Sequence, residues 1–87
     1  MTDAQIELMM SENPSYLRAR RLDDGSVAVL ASLMYTMAIC LGVSENSSFT
    51  TRRFCYDDFA LVGPVFDSLK SDLDIPDGWV ASRGLPL

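Results

Sequence analysis

Six aspartates and one lysine fall within residues 57–77, a local net charge of −5. Asp72, Asp74 and Asp77 invite a calcium reading. A helix–loop–helix calcium site, however, needs oxygen ligands at positions 1, 3 and 5, glycine at 6 and glutamate at 12. Pro76 falls where the third ligand belongs and no glutamate follows. The adjacent pair Asp57-Asp58 resembles an acid/base dyad only in composition, because neighbouring residues at a helix start diverge and N-capping accounts for both. Hydroxyls are plentiful, but the chain has no histidine, and Lys70 is its single lysine. The commonest general base and transition-metal ligand is therefore missing. No catalytic set, cofactor site or metal site is predicted, and the chain reads as non-enzymatic.

Binding chemistry is better represented. The chain carries 12 acidic against 7 basic residues, a net charge of −5, whereas a general nucleic-acid binder is normally basic. Asp67, Asp72, Asp74 and Asp77 form an acidic helix end and turn that suits either solvation or a basic groove on a partner. Trp79 stands beside them, as a core plug or as an interface anchor. The arginines lie in predicted strands. Arg52-Arg53-Phe54-Cys55-Tyr56 has the basic–aromatic character of RNA-binding sheets without their glycines. With Arg18, Arg20 and Arg21 it defines the nucleic-acid-binding alternative.

Eighty-seven residues make a single domain, 1–87, and a hydrophobic content of 48% argues against disorder. Cys40 and Cys55 form no C-x-x-C motif and read as free, mostly buried thiols in a reducing compartment. The first residues lack the basic start and apolar stretch of a signal peptide. Residues 27–43 are uncharged, at the lower edge of a membrane-spanning length. Their β-branched and aromatic content and the polar Ser32, Tyr35 and Thr36 favour a sheet, so no membrane association is expected.

These groups need a frame to position them. Thr2-x-x-Gln5 is a capping box, and Ile6, Met9 and Met10 have helical spacing, predicting a short helix over 2–12 that ends at Asn13-Pro14. Residues 16–22 read as a strand with Tyr16, Arg18, Arg20 and Leu22 on one face. Asp24-Gly25 marks a hairpin. The uncharged run 27–43 would be about 56 Å long as one strand, so a break is expected at 32–34, followed by a central strand, covered on both faces, over 35–41. A turn over 42–48, a strand over 49–56 and a helix from Asp57 or Asp58 to about residue 73 complete the core elements. Gly63-Pro64 kinks that helix or starts it, and residues 79–81 offer a short last strand. The expected architecture is α+β: an antiparallel meander of three or four strands, a short N-terminal helix and one longer helix, with the helices on one side.

Residues 24–79 resemble a class of small phage and prophage proteins. The shared pattern is the hairpin Asp24-Gly25, the apolar run 27–43, the strand end Phe54-Cys55-Tyr56-Asp57, the helix 59–73 and the turn Pro76-Asp77-Gly78-Trp79. Gly63-Pro64 interrupts a helix that is continuous in that class, and the basic tail is reduced to Arg83. The chain is also similar to anti-CRISPR proteins in being small, acidic and free of cofactors. The resemblance implies a phage-encoded inhibitor acting in the cytoplasm of an infected bacterial host. Its partner would be a host protein, with a CRISPR–Cas effector first, bound through Asp67, Asp72, Asp74, Asp77 and Trp79. The alternatives are a self-assembling structural phage protein, dimerising through the apolar strand edge or the Tyr35–Leu41 surface, and a small nucleic-acid-binding domain.

Overall fold

The computed structural model describes residues 1–43 and 50–83. Two helices, α1 (Asp3–Glu12) and α2 (Phe59–Ser68), accompany five strands: β1 (Tyr16–Arg21), β2 (Val27–Ser32), β3 (Met37–Val43), β4 (Thr50–Tyr56) and β5 (Ala81–Arg83). The strands pair antiparallel in sequence order, which makes an α+β meander. The sheet has five strands rather than three or four, because the chain after Trp79 pairs with β4 through Ala81–Arg83. The expected turn at 42–48 lies largely outside the described residues, although β3 itself runs on to Val43.

α1 begins where the capping box predicts. Thr2 Oγ1 accepts from the Gln5 amide at 3.2 Å, and Gln5 Oε1 accepts from the Thr2 amide at 2.6 Å. In the β1–β2 hairpin, Gly25 takes φ +85° and Asp24 accepts from the Ser26 amide at 3.0 Å. A register shift between Tyr16 and Arg18 divides β1 differently from simple alternation. Tyr16 packs with the cluster on the α1 side, while Arg18 and Arg20 turn toward α2. This corrects the single face expected for Tyr16, Arg18 and Arg20; a bulge adds one residue and reverses the alternation.

The helices lie on opposite faces of the sheet, not on one. Leu22, Ala28, Leu30, Ile39, Leu41, Phe54 and Tyr56 pack with Val62, Phe66 and Leu69 of α2. Val27, Val29, Ala31, Ala38 and Cys40 pack on the other face with Met9 of α1. A strand that is apolar on both faces needs cover on both, so the uncharged character of residues 27–43 itself calls for two layers.

α2 is no longer than α1; each has 10 residues. Asp58 caps it, accepting from the Ala60 and Leu61 amides at 3.0 and 3.2 Å, and the helix continues through Pro64. It stops well short of residue 73. The Asp74 carboxylate takes the amides of Lys70 and Ser71 at 2.8 and 3.2 Å, and Asp24 takes that of Asp72 at 2.9 Å. Short acidic side chains thus capture the N–H groups that another helical turn would need.

Candidate functional site: the acidic segment after α2

The four aspartates of the acidic segment have separate jobs. Asp67, on α2, pairs with Arg18 at 2.8 Å on the surface. The Asp72 carboxylate accepts from the Gly42 amide at 2.5 Å, where β3 turns through φ +69°. Asp74 closes the turn after α2 as described. Asp77 is exposed, and its backbone carbonyl accepts the Tyr56 hydroxyl at 2.7 Å. Burial, and then the nearby Asp77 charge, push the Tyr56 phenol up to about 12. The charge of the segment is therefore partly compensated. Arg18 faces Asp67, and the guanidinium of Arg52 donates to the carbonyls of Asp72 and Asp74.

Asp74 and Asp77 both line a pocket of about 210 Å3. Val65, Ser68 and Leu69 at the end of α2 line it as well, with Ile75 and Pro76 of the following turn. Ile75 is exposed, as is Leu73 two residues before it. The volume lies below the roughly 300–1,000 Å3 of small-molecule sites, so the notch is sized for a single side chain. Asp67 and Asp72 do not line it. Trp79 is half-buried, packed on the α2-side core with its ring 6.0 Å from that of Phe54.

The strand arginines are drawn into the fold. Arg18 lies 5.1 Å over the Phe66 ring, Arg20 donates to the Phe66 carbonyl at 2.9 Å, and Arg21 reaches Asp3 at 3.0 Å. Arg52 is buried and sits over Phe54. Arg53 faces the α1 side, paired in register with Cys40 and with Arg83. Arg18, Arg20 and Arg52 thus lie on the α2 side and Arg21 and Arg53 on the other, so the sequence's basic residues do not gather on one sheet face.

Cys40 is buried and Cys55 half-buried, and neither forms a disulfide. Burial, with the Cys40 thiol close by, raises the Tyr16 phenol above its ordinary value. Among the described residues, no three metal-ligating side chains come together and no helix is long and apolar enough to cross a membrane. The pocket walls were not legible in sequence, because Val65, Leu69 and Ile75 meet only once the helix has ended early. No protein-family model, curated protein or solved structure matches the chain.

Proposed function

We propose that this chain is a non-enzymatic inhibitor that binds a basic, nucleic-acid-handling protein. A CRISPR–Cas effector subunit of the infected host is the partner implied by its resemblance to small phage proteins. The observation that supports the reading is the notch lined by Asp74 and Asp77, with apolar walls from Val65, Leu69 and Ile75. Lysine and arginine carry an apolar stem and a charged head, so a basic side chain of the partner can lay its stem along the walls and its charge between the carboxylates. Exposed Leu73 and Ile75 add apolar contact around it. Asp67 and Asp72 contribute longer-range attraction, because neither lines the notch.

The test is co-purification of the tagged chain from a bacterial host with active CRISPR–Cas, alongside the variants Asp77→Lys and Asp67→Lys. Wild type should retain a Cas subunit in stoichiometric amount, and Asp77→Lys should weaken capture at least tenfold with an unchanged melting temperature. Asp67→Lys should weaken it less. Undiminished capture by Asp77→Lys removes the notch from the interface, and a wild-type chain without any Cas subunit overturns the partner.

A further inference from the structure

We infer that the end of the sheet carrying the β2–β3 connection is a second docking surface, for a protein that presents an apolar patch rimmed by lysine or arginine. The meander brings four separate stretches to this end. Tyr16 pairs with Ala31, Ser32 with Met37, and Met37 with Tyr56. Val80 donates to the Cys55 carbonyl at 2.8 Å, just before β5 pairs with β4. Leu17, the Met34-Tyr35 tip, Phe59 and Val80 are thereby collected at one end, all of them exposed.

The tip itself is not explained by turn chemistry. Residues 33–36 close with a bond from the Leu33 amide to the Thr36 carbonyl at 2.8 Å. They contain no glycine, proline, asparagine or aspartate, the residues that tight turns select. None of them has positive φ. Met34 and Tyr35 are nevertheless 86% and 84% exposed, the two highest values among the large hydrophobics of the described residues. Their side chains satisfy neither the turn nor the core, and apolar groups held in water at a projecting tip are suited to a partner's cavity.

Charge selects the occupant. Stretches 13–17, 31–37, 56–61 and 79–81 contain Asp57 and Asp58 and no lysine or arginine. Arg18, next to Leu17 in sequence, is directed to Asp67 on the α2 side. An end that is apolar and acidic repels nucleic acid and anionic lipid. A second copy in a two-fold arrangement would present the same apolar, acidic end, with no cation to answer Asp57 and Asp58. A cationic rim around an apolar patch matches both features. This surface shares none of its residues with the Asp74–Asp77 notch at the other end of α2.

Selection of a random displayed peptide library on the immobilised full-length chain tests the surface, with NMR shift mapping of the winning peptides. Peptides combining aromatic or aliphatic residues with arginine or lysine should emerge, and shifts should centre on residues 34–35 and 57–59. The double variant Met34→Ser/Tyr35→Ser should bind them at least tenfold more weakly at an unchanged melting temperature, and Asp57→Lys should weaken them as well. It should leave any capture that depends on Asp77 intact. The surface is overturned by an absence of enriched peptides, by an acidic or uncharged consensus, or by shifts confined to residues 72–77. A wild-type dimer that the double variant dissolves overturns it in favour of self-association.

Discussion

The guanidinium of buried Arg52 donates to the backbone carbonyl of Asp74 at 2.6 Å, and through its other terminal nitrogen to the carbonyl of Asp72. One β4 side chain thus ties the segment after α2 to the sheet and fixes the wall that holds Asp74. Arg52→Met leaves both carbonyls without their donor and should cost about 3–6 kcal/mol, from two charge-assisted bonds of roughly 1.5–3 kcal/mol each. Arg52→Lys should recover little, because an ammonium lacks the planar fork that spans two acceptors. Urea denaturation reads both values, and a loss under about 0.5 kcal/mol for Arg52→Met would show that the segment is held by something else.

Tyr56 ties down the same segment farther along, through its hydroxyl and the Asp77 carbonyl. Its folded-state pKa of about 12 lies above the ordinary 10.0, chiefly through burial. The folded state therefore keeps a proton that the unfolded chain has released. Its contribution is fully present below pH 10 and is lost as pH rises through about 12. Tyr56→Phe should lower stability by about 1 kcal/mol at neutral pH and flatten the alkaline decline. Melting curves between pH 8 and pH 11.5 (about that span) separate the two effects; an equally steep decline in Tyr56→Phe would assign it to another group.

The elements that were legible in sequence are those set by local chemistry. Thr2 and Gln5, Asp24-Gly25 and Asp58 each carry their signal within a few residues, and each marks the observed boundary. What was not legible depends on partners far along the chain. The early end of α2 needs Asp24, across in the β1–β2 hairpin, and Asp74, in the turn, to take the amides of Asp72, Lys70 and Ser71. The parity of Tyr16 depends on a bulge that pairs it with Ala31. The same limit applies to the acidic segment: composition groups Asp67, Asp72, Asp74 and Asp77, whereas Asp74 and Asp77 line the pocket after α2 and Asp67 and Asp72 do not.

Asp24 connects the hairpin to the turn after α2 and makes a second pH-dependent contact. The Ser26 hydroxyl, followed by the amides of Asp72 and Ser26, pulls its carboxyl down to about 2 from 3.8. The stabilisation is therefore present above pH 3.8 and is lost as pH falls through about 2. Asp24→Asn should reduce the loss of stability over that window. Urea midpoints at about pH 5 and about pH 2.5 measure it. An identical drop in wild type and variant would exclude Asp24 as the titrating group.

Gly25 and Gly78 have nearly the same backbone, at φ +85° and +86°, and different surroundings. A Cβ on Gly25 meets nothing within 4 Å, so Gly25→Ala should cost only the left-handed conformation, about 1–2 kcal/mol. A Cβ on Gly78 would stand 2.5 Å from Leu61 Cδ2 and 3.6 Å from Tyr56 Cε2. Gly78→Ala should therefore exceed Gly25→Ala by about 1 kcal/mol or more, the lower end of the cost of overpacking. Truncating the obstructing side chain supplies the control. In a Leu61→Ala background the excess should largely vanish, giving a favourable coupling of roughly 1 kcal/mol in a double-mutant cycle. Equal costs at the two glycines would mean that the Leu61 side chain swings clear without penalty, and the turn before Trp79 would then be set by backbone conformation alone.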